Sequence, residues 1–367
     1  MNKKKNLLSP SQIKCFQIRL AKWYKQNHRE LPWRKTHHPY YIWVSEVMLQ
    51  QTQVTKVTDY YPQFIKKFPN IRSLARADLT TILKEWELLG YYARARNLHK
   101  AAKILVKSFK GKIPAQYEEF KQLPGVGDYI AAAVMSIAYN LPFPVLDGNV
   151  KRVIARMFLL NTPVNKAHSI KDFREFVWML LDRQNPGEFN QGMMELGAII
   201  CKTRHPLCRC CPVHEFCLAF QNKKVQQYPK KEKKSQIPEF HIAVGIIQKN
   251  GTILITQRKF EGLLGGLWEF PGGKIQKGES PPIACLREIE EEVNLVVEIA
   301  EHLTQMRHTY THFKIVMDVF LCRYVSGEVQ LRSAINHRWI DFSEIENYPF
   351  PGANHKFFPI LKSALTN

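Results

Sequence analysis

Before residue 222 the apolar residues recur every three to four positions. Leu74, Leu79, Ile82, Leu83, Trp86 and Leu89 form one such series, and Phe173, Phe176, Val177, Leu180 and Leu181 another. That spacing is the period of helices with one buried face. After residue 238 the pattern changes to short apolar runs. Residues 242–247 and Ile253-Leu254-Ile255 predict two strands, with Asn250-Gly251 as the tight turn between them. Residues 315–321 predict a further strand, and about 280–293 a single helix. The polar, lysine-rich stretch before residue 235 lacks either period and reads as a linker. The expectation is an all-α domain over 1–222, a basic linker over 223–238 and an α+β domain over 239–367.

Composition supports a folded chain. Its 367 residues are 45% hydrophobic and 23% charged, ordinary for globular protein and enough for two or three cores. No run of about 18 apolar residues is present, which excludes a membrane-spanning helix. The start, Met1-Asn2-Lys3-Lys4-Lys5, leads into Leu7-Leu8-Ser9-Pro10 rather than an apolar stretch, so no signal peptide is expected. A soluble, cytoplasmic monomer is the expectation.

Charge sharpens the division. The net charge is +21, yet residues 1–234 carry 40 Lys+Arg against 17 Asp+Glu, and residues 235–367 carry 13 against 15. An excess of +23 confined to the first part points to a polyanion partner, most simply nucleic acid.

Four of the eight cysteines, Cys201, Cys208, Cys211 and Cys217, fall at spacing C-x6-C-x2-C-x5-C. In a reducing compartment such clustering favours metal over disulfides. Zinc and an iron–sulfur cluster both accept four thiolates, and spacing alone does not choose between them. Cys210 adjoins Cys211, and the spacing selects Cys211.

This spacing resembles the [4Fe–4S] loop of the helix-hairpin-helix DNA glycosylases, the endonuclease III and MutY superfamily. Leu123-Pro124-Gly125-Val126-Gly127 is similar to that superfamily's hairpin, and Leu146-Asp147-Gly148-Asn149-Val150-Lys151-Arg152 to its aspartate segment. A Pro-Gly-x-Gly turn at a helix start exposes backbone N–H groups that can hold a DNA phosphate without reading sequence, through Gly125 and Gly127. Members that cleave the strand carry a lysine two residues after the second glycine. Here that position is Tyr129, so the resemblance implies a glycosylase without Schiff-base chemistry. Trp43 to Gln53 and Gly90-Tyr91-Tyr92-Ala93-Arg94-Ala95-Arg96 resemble the MutY-type adenine glycosylases, which act on adenine opposite 8-oxoguanine or guanine in double-stranded DNA.

The resemblance implies roles. Breaking an N-glycosidic bond needs protonation of the leaving base and stabilisation of a sugar cation, work for two carboxyls in different protonation states. Glu46 would protonate adenine, Asp147 would stabilise the cation, and Tyr129 and Asn149 would line the sugar and water side. Glu46 sits among Trp43, Val44, Val47, Met48 and Leu49, consistent with burial and raised proton affinity. The adenine must first be extruded from the duplex. Gln51 would enter the gap, Tyr91 would wedge beside 8-oxoguanine, and Arg34 and Glu195 would face the adenine.

The C-terminal part resembles MutT. Arg307 to Phe313 is similar to the family's 8-oxoguanine recognition loop, with Thr311 and His312 as its hydroxyl and imidazole. Upstream, Gly273-x5-Glu279-x7-Arg287-Glu288-Ile289-Glu290-Glu291-Glu292-Val293-Asn294-Leu295 is a Nudix box complete except for Asn294 in place of its last glycine. Glu288, Glu291 and Glu292 share one helix face, an arrangement suited to Mg²⁺ and pyrophosphate. Asn354 matches the MutT residue that binds the oxidised base, whereas Arg338 stands where MutT has a further glutamate. Two enzymatic readings follow: a glycosylase whose second domain only recognises 8-oxoguanine, or a bifunctional protein that also hydrolyses 8-oxo-dGTP. A third is a basic DNA-binding scaffold with a vestigial Nudix module, against which the paired Glu46 and Asp147 argue.

Overall fold

A computed structural model describes residues 8–166, 169–232 and 236–366. The chain divides into two compact units, one of Met1–Ala75 with Lys100–Lys234, the other of Arg76–His99 with Ser235–Asn367.

The first unit is helical. It begins with α1 (Pro10–Asn27), whose Ser9 and Gln12 form a reciprocal capping box ahead of Pro10 at the first helical position. Helices α2 (Pro39–Leu49), α3 (Val54–Lys67) and α4 (Ile71–Arg76) follow. Next in chain order come α5 (Leu79–Glu85) and the first turns of α6 (Ala93–Ser108), which belong to the second unit, α6 returning to the first from Lys100. Helices α7 (Tyr117–Lys121), α8 (Asp128–Tyr139), α9 (Gly148–Met157), α10 (Ile170–Leu180) and α11 (Pro186–Glu195) complete the main body. A π-helical turn over Leu196–Ile200 leads into Cys201, and a short α12 (Leu218–Gln221) closes the cysteine loop.

Two of these helices have no polar face. In α2 nearly every side chain from Tyr40 to Met48 is buried, and in α8 every one from Ile130 to Ile137. Helices apolar all round belong in the middle of a domain, and α2 and α8 pack on one another. A second core joins α1, α9, α10 and α11 through Phe16, Leu20, Val153, Ile154, Phe173 and Met193.

The second unit is a mixed sheet between helices. Its strands are β1 (Glu239–Lys249), β2 (Thr252–Arg258), β3 (Trp268–Glu269), β4 (Gly272–Lys274), β5 (Val296–Thr309), β6 (Lys314–Ser326) and β7 (Ala334–Ile340). They run in the order β3-β2-β1-β6-β5, with β4 on β1 and β7 on β2. β1 and β6 are parallel; the other pairings are antiparallel. Asn250 and Gly251 both take positive φ, 49° and 80°, the turn their dipeptide predicts. Helix α13 (Pro281–Val293) covers one face through Ala284, Cys285 and Ile289. Helix α14 (Phe358–Thr366) covers the other, with Leu361 in a core of Val244, Ile246, Met317 and Phe350.

Two expectations need correction. Residues 76–99, expected in the first domain, pack with the second unit: Arg96 donates from Nη1 to the Gly265 carbonyl at 2.8 Å and from Nη2 to that of Gly262 at 3.0 Å. Glu87 accepts the Phe350 N–H at 2.7 Å and lies 3.0 Å from His355 Nε2. The apolar series from Leu74 to Leu89 runs through α4, α5 and the turn after it, with Asp78 capping the N-terminus of α5 through N–H bonds from Thr80 and Thr81. The expected linker, in turn, adheres to the helical unit as far as residue 232. Arg156 Nε donates to the Tyr228 carbonyl at 3.0 Å, Val164 N–H to that of Lys230 at 3.0 Å, and Lys166 pairs with Glu232. Lys233, Lys234 and Ser235 lie outside the described residues.

Candidate active site

Helix α2 carries Glu46 into the interior, where it is 4% exposed. Burial pushes its carboxyl up to about 7, opposed by a hydrogen bond from Tyr129 and reinforced by the charge of Asp147. The Tyr129 hydroxyl, from the first turn of α8, donates to Glu46 Oε2 at 2.5 Å. Burial raises the phenol well above its ordinary range, so it remains a proton donor.

Asp147 is the N-cap of α9. Its Oδ1 accepts the Val150 N–H at 2.7 Å and its Oδ2 the Asn149 Nδ2 at 2.8 Å. Burial raises its proton affinity too, while these donors and the Arg152 charge favour the ionised form. The two carboxyls thus differ: Asp147 has a helix start and an amide to hold a negative charge, and Glu46 has one neutral phenol. Glu46, Tyr129, Asp147 and Asn149 line one cavity of about 170 Å³, together with Trp33, Arg34, Met194 and Glu195.

Glu195 is fully buried, and its charge is accounted for. Arg29 donates to it from the backbone at 2.9 Å, from Nε at 2.8 Å and from Nη2 at 2.7 Å, and Arg34 Nη2 adds a bond at 2.7 Å. Burial alone would raise this carboxyl; the arginine hydrogen bonds hold it at about 2. It is a fixed anion that aims Arg34 at the cavity wall. Sequence reasoning did not find Arg29, which lies 166 positions from its partner with no motif linking them.

Arg152 lies at the end of the aspartate segment, but the sequence assigned it no role. Its Nη2 donates to Asn149 Oδ1 at 2.8 Å and to the Gly197 carbonyl at 2.7 Å, and its Nε to the Cys201 carbonyl at 2.7 Å. Gly197 has no room for a side chain, since a Cβ there would stand 2.5 Å from that of Asn149. The π-helical turn before Cys201 therefore abuts the loop of Asp147 and Asn149 directly.

Cys208, Cys211 and Cys217 each lie near enough to Cys201 to feel its charge, and burial raises all three thiols. Buried Arg156 donates to Cys201 Sγ at 3.2 Å. Cys210 points to solvent. Among the described residues no three His, Cys, Asp or Glu side chains converge as a single-ion site. The chemistry of the donor set, four half-buried thiols with the Arg156 guanidinium on one of them, is compatible with an anionic cluster.

Gly125 takes φ of 78° in the hairpin, a conformation open to glycine at little cost, and Gly127 is the N-cap of α8. Gln51 and Tyr91 are exposed or half-exposed non-glycine residues at φ of 55° and 49°, strained positions of the kind found at functional sites. In the second unit, the Tyr91 hydroxyl donates to Thr311 Oγ1 at 2.5 Å. Thr311 and His312 are exposed at the β5–β6 turn, which Tyr310 and Phe313 close by ring stacking at 4.7 Å.

The acidic face of α13 is tied up by its own arginine. Arg287 donates to Glu279 at 2.8 Å, to Glu288 at 2.9 Å and to Glu291 at 3.1 Å. Glu292 accepts the Gly272 N–H and the Ser333 hydroxyl, each at 3.1 Å. Asn294 caps the helix in the left-handed region at φ 56°, so replacing the usual glycine leaves the helix end intact. Asn354 is buried, with its N–H on the Pro351 carbonyl at 2.9 Å.

The family model for HhH-GPD superfamily base excision DNA repair proteins matches residues 44–177, and that for the NUDIX domain residues 242–359. The adenine DNA glycosylase of Rattus norvegicus is 32% identical over 405 residues, covering 95% of this chain and 78% of its own. The human adenine DNA glycosylase is 32% identical, covering 84% and 67%, and that of Buchnera aphidicola subsp. Baizongia pistaciae 40%, covering 69% and 72%. Among solved structures, a thermostable thymine-DNA glycosylase aligns with a TM-score of 0.54 at 29% identity, over 58% of this chain and 98% of its own. An endonuclease III trapped as a covalent DNA intermediate aligns at 0.51 and 22% identity, over 59% and 99%.

Proposed function

Because the chain belongs to the adenine DNA glycosylase family, we propose that it removes adenine paired with 8-oxoguanine or guanine, using Glu46 as acid and Asp147 as counter-charge. The observation that carries this is the convergence of the two carboxyls and Tyr129 on one cavity of about 170 Å³.

The extruded adenine enters that cavity with its ring against Trp33 and Met194. Glu46, half protonated near neutrality, delivers its proton to a ring nitrogen, and Tyr129 stabilises the carboxylate left behind. The bond from C1′ to the base then breaks, leaving positive charge on the sugar. Asp147, held ionised by Val150 and Asn149, faces that charge, and a water completes hydrolysis. Tyr129 has no amine, so no Schiff base forms and the strand stays intact.

Cys201, Cys208, Cys211 and Cys217 would hold a [4Fe–4S] cluster, which supplies a rigid anchor for the loop beside Asp147. Gly125 and Gly127 hold backbone phosphate, Gln51 fills the gap left by adenine, and Tyr91, Thr311 and His312 read the opposite base. The hydroxyl pair of Tyr91 and Thr311 supports this, because a hydroxyl can both donate and accept at the altered edge of 8-oxoguanine. The Nudix unit serves in recognition; in it Arg287 pairs with Glu279, Glu288 and Glu291.

The test is release of free adenine from duplexes containing A:8-oxoguanine, A:G or A:T. Release from the first two, with an intact strand and nothing trapped by borohydride, supports the reading. Release from A:T at the same rate, or a trapped covalent adduct, overturns it.

A further inference from the structure

The helix that follows the hairpin begins with an acid. Asp128 is the first residue of α8, directly after Gly127, in a unit whose surface is otherwise rich in cations. Its carboxylate is not free. Lys121 Nζ lies 2.5 Å from Oδ1, Arg174 Nη2 donates to Oδ2 at 2.6 Å, and the Tyr117 hydroxyl donates to Oδ1 at 3.1 Å. Lys121 and Tyr117 come from α7 and Arg174 from α10, so three donors from two further elements converge on one pair of oxygens.

All three charged side chains remain accessible. Lys121, Asp128 and Arg174 are 39%, 40% and 42% exposed. Ion pairs in contact with water contribute little net stability, so this trio can exchange partners. A phosphodiester carries the same charge and presents two oxygens in the same way as a carboxylate, to which a lysine and an arginine respond alike.

We infer that Asp128 is an internal competitor for DNA: it occupies, in the free protein, the two cations that a backbone phosphate takes up in the complex. The inference rests on the reading that the hairpin faces DNA. It makes Lys121 and Arg174 a phosphate subsite and Asp128 the residue that sets its strength. The device lowers affinity for undamaged duplex, since every non-specific encounter must displace the carboxylate first. Hydrogen bonds from Lys121 and Arg174 hold Asp128 at about 2, so the competition is in force throughout the neutral range.

The test is the salt dependence of binding to an undamaged duplex. Each cation freed for phosphate contact steepens the slope of log K against log salt by about 0.9. Asp128→Asn should therefore tighten binding at low salt and steepen the slope by about one to two, and the triple change with Lys121→Gln and Arg174→Gln should abolish that gain. If Asp128→Asn leaves the slope unchanged, or weakens binding while lowering the melting temperature, the carboxylate is a brace for the hairpin and the inference is wrong. Gly125→Ala with Gly127→Ala separates the two readings. Unaltered binding there means that the hairpin does not face DNA, whatever Asp128 does.

Discussion

Glu46 and Glu269 are both pushed up to about 7 by burial, one in each unit, and their surroundings give them different work. Glu269 lies 2.6 Å from the Arg258 guanidinium and feels the charge of Glu292. Glu46 meets a phenol, borders a cavity and shares it with a second carboxyl. A raised proton affinity thus marks a candidate acid without identifying one. Glu269 keeps its raised affinity despite an arginine partner; what distinguishes Glu46 is the cavity and the second carboxyl beside it.

The sharpest way to break this contrast is to remove each acid in turn. Glu46→Gln should cut single-turnover adenine release from an A:8-oxoguanine duplex by about 10²- to 10⁴-fold, the range of general acid catalysis, with Glu269→Gln near the unaltered rate. Equal losses would mean that burial, not the cavity, is what matters. Asp147→Asn should lose activity comparably while keeping its melting temperature, because asparagine caps a helix as well as aspartate does. A large fall in stability would instead show that the role of Asp147 is structural.

The pH profile comes next. Glu46 must be protonated to act, so the single-turnover rate should fall tenfold per unit above about 7, and on the acid side as Asp147 protonates. A rate flat from pH 6 to 9 would exclude Glu46 as the acid. A smaller effect is expected in the second unit. Thr311→Ala removes one hydrogen bond and should reduce the preference for 8-oxoguanine over guanine by about three- to tenfold, measured as the ratio of rates on the two duplexes. The smallest effect of all is expected at the Nudix box. The full chain with Mg²⁺ should release no more product from 8-oxo-dGTP than its Glu291→Gln variant, and clear turnover would restore the bifunctional reading.

Apart from Glu46, Tyr129, Asp147, Arg34 and Glu195, which the family resemblance brought together, what could be read from sequence was whatever acts over short separations. Asp147 and Asn149 lie on one helix cap, Glu288 to Glu292 on one helix face, and Asn250-Gly251 in one hairpin. Local backbone geometry determines each of these. Glu195 with Arg29, and Arg152 with the carbonyls of Gly197 and Cys201, are made by tertiary packing across 45 to 166 positions. No periodicity records such a pairing. Residues 76–99 failed for a related reason: an amphipathic stretch states that it has a core to join and is silent on which.

That segment has a consequence for the order in which the protein can be made. A ribosome releases residues 76–99 long before it reaches the strands that Arg96 and Glu87 bind. At roughly 5–20 residues per second, the stretch waits on the order of ten seconds or more for its partners, between two halves of a helical unit that is already emerging. The second unit is therefore completed last, around a piece of chain made early. Cutting the gene at the lysine-rich stretch would give a C-terminal fragment that lacks the carboxylate its Phe350 N–H requires.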